Sequence, residues 1–121
     1  MTLFSAILVA IVALEHVYIL VLEMFMWTKP RAMRIFGTTK QFAEETKSLA
    51  ANQGLYNGFL AAGLLWGLMY PDPVIGRQIQ LFFLSCVLIA AVYGGLSAKR
   101  SILFTQGLPA LIAFLFVLVY S

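Results

Sequence analysis

The chain has 121 residues, of which 62% are hydrophobic and 11% charged, with a mean hydropathy of +0.94. A soluble domain carries about 25% charged residues, so this composition excludes an ordinary water-soluble fold and leaves little chain for a soluble domain beside a membrane one. The formal net charge of +3 reads as membrane topology rather than nucleic-acid binding, and Cys86, the single cysteine, excludes an intramolecular disulfide.

Four long apolar runs predict an all-α fold: four transmembrane helices in up-down order, forming one integral membrane domain over residues 1–121. The first helix runs from about residue 3 to 27. It lacks the basic start of a signal peptide, and Glu15 and His16 interrupt its apolar run, so it reads as a retained transmembrane helix. Pro30 ends it. A polar connection follows, in which Arg31 to Phe36 suggest a short interfacial helix closed by Gly37. Thr38 or Thr39 is placed to cap the second helix, expected over residues 40–70, on whose surface Glu44 and Lys47 are spaced to pair.

Pro71-Asp72-Pro73 forces a turn. The third helix is expected over about 79–98 and the fourth over 102–120. Pro109 lies inside the fourth and deprives the Thr105 carbonyl of its helical partner, with Gly107 adjoining, which predicts a kink. Basic residues sort by connection. Lys29, Arg31, Arg34, Lys40 and Lys47 fall in the first and Lys99 and Arg100 in the third, whereas the second holds Arg77 and the termini none. The positive-inside rule then puts the first and third connections in the cytoplasm and both termini on the non-cytoplasmic side of a multi-pass cell-membrane protein. Trp27, Trp66, Tyr70 and Tyr120 fall near helix ends, as interfacial aromatics do.

That orientation brings polar residues of all four helices to one cytoplasmic layer: Glu23; Asn52, Gln53 and Asn57; Tyr93 and Ser97; Thr105 and Gln106. A carboxylate at the bilayer centre costs about 2.5–3.5 kcal/mol on insertion scales, so Glu15 and Glu23 should face the bundle interior or meet a donor. Glu23 is expected to meet Asn57 or Gln106. His16 shares the Glu23 face, with Leu20 between them, and Glu15 points about 100° away. Glu23, Asn52, Gln53, Asn57, Gln106 and Tyr93 are thus the candidate pocket. Glu15 and His16 form a deeper, proton-sensitive candidate element, since histidine titrates near physiological pH. The competing reading of the amides is interhelical glue. One histidine and one cysteine give no basis for a metal site, any cofactor stays unknown from the sequence, and no catalytic motif is present.

Gly54, Gly58 and Ala62 recur every fourth residue on the second helix, with a second pair at Gly63 and Gly67. Such faces permit close helix approach, within one chain or between copies, and a homo-oligomer is the expectation.

The run Asn52-Gln53-Gly54-Leu55-Tyr56-Asn57-Gly58-Phe59-Leu60-Ala61-Ala62-Gly63 resembles the signature of a family of small four-helix bacterial integral membrane proteins, a domain of unknown function. Glu15-His16, Glu23-Met24 and Gln106-Gly107-Leu108-Pro109-Ala110 fit the same family. The resemblance covers essentially the whole chain; it implies membrane class and helix count and supplies no activity. A weaker likeness is to the membrane-associated eicosanoid and glutathione metabolism superfamily, four-helix proteins that bind glutathione between the subunits of a trimer. Asn52 would occupy its asparagine position, but Leu55 stands where that family places a glutamate, which removes part of the thiol-tripeptide site. Three functions follow as alternatives: a membrane protein binding or moving a small molecule or proton in a cytoplasm-facing polar pocket, a glutathione-transferase-like enzyme acting on lipophilic substrates, and a structural interaction subunit. The partners implied are the lipid bilayer, further copies of the chain and a small lipophilic or anionic ligand, with no nucleic acid.

Overall fold

The computed structural model describes residues 2–121, and among them the only regular structure is helical. The elements are α1 (Leu3–Phe25), α2 (Pro30–Phe36), α3 (Lys40–Glu45), α4 (Lys47–Met69), α5 (Pro73–Ser97) and α6 (Arg100–Tyr120). α1, α5 and α6 are long and apolar enough to cross a membrane. α4 is equally long, 23 residues or about 34 Å at ~1.5 Å per residue. It falls short on composition, because Lys47, Ser48, Asn52, Gln53 and Asn57 occupy its first half.

The chain divides into two compact units. One takes the residues up to Glu15 together with Leu60–Ser121. Its core draws on four helices: Val9, Val12 and Ala13 of α1, Leu64 of α4, Leu84 and Val87 of α5, and Ala110, Ala113 and Val117 of α6. Small side chains on α6 let its backbone come close, and large ones on α4 and α5 fill the opposing space, the interdigitation that native packing density demands. Gly63 of α4 lies against the ring of Phe83. Gly67 of α4 and Gly76 of α5 meet backbone to backbone: a Cβ added at Gly76 would stand 2.7 Å from the Gly67 carbonyl oxygen. At the chain ends the Ser5 and Ser121 hydroxyls are 2.9 Å apart.

Unit two is His16–Phe59. Here α2 and α3 fill the connection between α1 and α4. α2 begins on Pro30, whose missing N–H costs nothing in a first turn, and closes at Gly37 with φ 68°, the left-handed conformation that glycine adopts freely. Thr39 caps α3, its hydroxyl accepting from the Phe42 N–H at 3.2 Å. On α3 the bonded pair is Gln41 with Glu45, at 3.0 Å. α2 is tied back to α1 by Arg31, whose Nε donates to the Tyr18 hydroxyl at 2.7 Å. Lys29, Arg31, Arg34, Lys40 and Lys47 are all exposed.

Two boundaries differ from the sequence expectation. The helix expected over 40–70 is broken at Thr46, whose hydroxyl donates back to the Phe42 carbonyl (2.7 Å) and accepts from Trp27 Nε1 (3.0 Å); such back-bonding bends helices. α5 begins at Pro73 rather than near residue 79, because Asp72 caps it through the Val74 N–H at 2.9 Å and Pro73 suits its first turn. In α6 the backbone widens into a π-turn over Leu103–Gly107 just ahead of Pro109. Such a local adjustment accommodates the carbonyl that proline leaves unbonded in a membrane-type helix.

Candidate functional site

The second unit holds a buried polar pair. Asn57 Nδ2 donates to Glu23 Oε1 at 2.6 Å, and both residues are buried. The helices reach each other because α4 presents glycine where α1 presents bulk. A Cβ added at Gly54 would lie 2.7 Å from Met24 Cγ, 3.0 Å from Glu23 Cβ and 3.2 Å from the Leu20 carbonyl oxygen; at Gly58 it would lie 2.5 Å from Leu20 Cδ1. Helical geometry makes the pair follow from that contact. Asn57 stands three residues after Gly54, and Glu23 three after Leu20, so each polar group lies on the face its helix gives to the other. The bond gives a buried amide donor and a buried carboxyl acceptor a partner each, where either one left unpaired would carry a desolvation cost.

The other candidates fall elsewhere. Asn52 and Gln53 are exposed on α4. Asn52 is nine residues from buried Ala61, about 180° around the helix at ~100° per residue, so it looks away from the packed face. His16 is 1% exposed, wholly inside the protein. Glu15 is half-buried, and its Oε1 is enclosed without a hydrogen-bond partner. Gln106 and Tyr93 belong to the first unit: Gln106 lies half-buried in the π-turn, and Tyr93 is exposed beside an apolar groove of about 420 Å³ formed with Leu88, Ile89, Val92 and Leu96. Ser97 and Thr105 donate to carbonyls of their own helices, Tyr93 at 2.6 Å and Ser101 at 2.8 Å. Of the polar layer expected from the sequence, Glu23 and Asn57 are the two joined by a hydrogen bond across helices.

The glycine faces are filled by the same chain, Gly54 and Gly58 by α1, Gly63 and Gly67 by α5. Each of these four glycines therefore already faces a neighbouring helix of its own chain.

Residues 10–118 match the family described as "Protein of unknown function (DUF1304)". The chain belongs to this family. It is 33% identical over 115 residues, 93% of this chain and 95% of the other, to the "Uncharacterized protein YpaA" of Lactococcus lactis subsp. lactis (strain IL1403). No solved structure matches the chain. Membership agrees with the family resemblance carried by the α4 signature. That signature contains Gly54, Asn57 and Gly58, three of the residues that build the contact around Glu23.

Proposed function

We propose that this DUF1304 chain is a multi-pass cell-membrane protein of four crossing helices, α1, α4, α5 and α6. Glu23 is its functional carboxyl, binding or moving a small molecule or a proton from the cytoplasmic side. The observation that carries the reading is the buried Glu23–Asn57 hydrogen bond. An ionisable side chain within a membrane span is costly and marks a functional site by default; here it lies on an apolar helix and has an amide to hold its orientation.

Two features support α4 as the fourth crossing. The composition that sets it apart is partly neutralised by α1, which takes up the Asn57 amide and covers Gly54 and Gly58. Seven of the eight Lys and Arg residues fall in the first and third connections, the bias expected when α4 and α5 both cross between them. Both termini then lie outside the cytoplasm, and the chain acts as a single integral membrane domain.

A structural reading is favoured by the same bond, since it joins two helices at their closest approach. Native mass spectrometry of the protein released from lipid nanodiscs separates the two. The functional reading expects wild type to retain a defined small molecule that Glu23→Gln loses while remaining folded. A wild type that carries nothing, together with equal proton flux for wild type and Glu23→Gln in liposomes, overturns it in favour of the structural role.

A further inference from the structure

The turn between α4 and α5 encloses a second polar site, independent of Glu23. A recess of about 190 Å³ is lined by Gly67, Tyr70, Gly76, Arg77, Gln80 and Ser121, among others. The meeting of Gly67 with Gly76 brings the two helices close enough to form it. Gln80, 2% exposed, donates from Nε2 to the Gly67 carbonyl at 3.1 Å. Arg77 is anchored at one point, Nη2 donating to the Leu118 carbonyl at 3.0 Å. Its Nε is buried and has no hydrogen-bond partner.

A buried donor on a charged group is among the most costly atoms to leave unmet. A guanidinium held by one Nη and unpaired at Nε keeps donors for an acceptor with two oxygens, the fork that arginine offers to carboxylate or phosphate. Among the described residues no Asp or Glu side chain lines the recess; the neighbouring Asp72 caps α5 instead. A water occupies about 30 Å³ in the liquid, so the recess has room for more than one or two waters, yet it is smaller than the roughly 300–1,000 Å³ of drug-sized sites. Trp66 and Tyr70 stack edge-on at the same end of α4, ring centroids 6.2 Å apart, and such aromatics sit at headgroup level.

We infer that the Arg77 recess is a binding site for a small oxyanion, a phosphate or a carboxylate, at the membrane interface by the α4–α5 turn. Two sources carry that chemistry: a free anion and the phosphate of a lipid headgroup.

The test uses the whole protein in an uncharged detergent. In one arm, inorganic phosphate is titrated calorimetrically against a chloride background. In the other, phosphatidylglycerol is added and retention is read by native mass spectrometry. Wild type should bind one of the two probes. Arg77→Lys keeps the charge but loses the fork, and should weaken binding about tenfold or more; Arg77→Gln should abolish it. Thermal unfolding of each variant confirms that it is folded, and Arg77→Lys serves as the test if Arg77→Gln is not. Phosphate bound without the lipid assigns the site to a free oxyanion, and the converse assigns it to a headgroup. Binding of neither probe by wild type, or equal binding by folded variants, overturns the proposal.

Discussion

Gly76→Ala is expected to destabilise the protein by about 1–3 kcal/mol, the usual cost of overpacking a filled core. Inside a helix this substitution ordinarily gains about 1 kcal/mol from propensity, so the expected sign is opposite to the intrinsic one. The reason is the kind of atom the new methyl meets. It would stand 2.7 Å from the Gly67 carbonyl oxygen, which is backbone and cannot rotate away. That oxygen also accepts the Gln80 side chain at 3.1 Å, so a shift of α4 that relieved the clash would strain a buried hydrogen bond as well. Gly107→Ala is the control: its Cβ would lie 3.4 Å from the Ala91 Cβ, ordinary contact, and stability should stay level or rise. Equilibrium unfolding in mixed micelles measures both. Equal effects at the two positions would mean that the α4–α5 approach is looser than described.

Asn57→Leu is expected to cost about 1–3 kcal/mol, because it leaves the buried Glu23 carboxyl without its donor. Glu23→Leu should cost a similar amount by stranding the amide. The double variant should be less damaging than the sum of the two, since removing both partners of a buried hydrogen bond strands neither. The coupling should reach about 1–1.7 kcal/mol, the upper part of the range for hydrogen bonds between membrane helices. The 2.6 Å separation, an acceptor on an ionisable group and the tight glycine contact around it all argue for the upper part. Strict additivity would show that the bond adds nothing to stability. Any loss of function in Glu23→Gln would then have to come from the carboxyl chemistry itself.

Local signals were readable wherever one residue settles the backbone. Pro30, Gly37 and Thr39 mark the limits of α2 and the start of α3 as their chemistry dictates. The α5 start was readable too, in Asp72 followed by Pro73. Hydropathy obscured it: Arg77, Gln78 and Gln80 look like connection, although a helix can begin well before its apolar part does. The break at Thr46 was not readable, because it depends on the Trp27 indole 19 residues earlier in the chain.

The meeting of Glu23 with Asn57 or Gln106 followed from depth alone; that Asn57 is the hydrogen-bonded partner depended on α4 approaching α1 through Gly54 and Gly58. Depth does not fix azimuth, which is why Asn52 and Gln53, placed in the same layer, are exposed. The hydroxyls of Ser97 and Thr105, placed in the same layer, donate to carbonyls of the preceding turn, as helical Ser and Thr hydroxyls can. Arg77 and Gln80 went unmarked because a single cation in a short connection carries no pattern; their neighbourhood exists only once Gly67 and Gly76 have met.

The function proposed for Glu23 requires α4 to cross the membrane beside α1, and cysteine accessibility tests that directly. With Cys86 replaced by serine, one variant carries Lys40→Cys, before α4, and another Val74→Cys, after it; both positions are exposed. A membrane-impermeant maleimide on intact cells should label Val74→Cys at once and Lys40→Cys only after permeabilisation. Labelling of both positions from the same side would contradict the account, because α4 would not cross and the Glu23–Asn57 pair would not lie within a four-helix membrane domain.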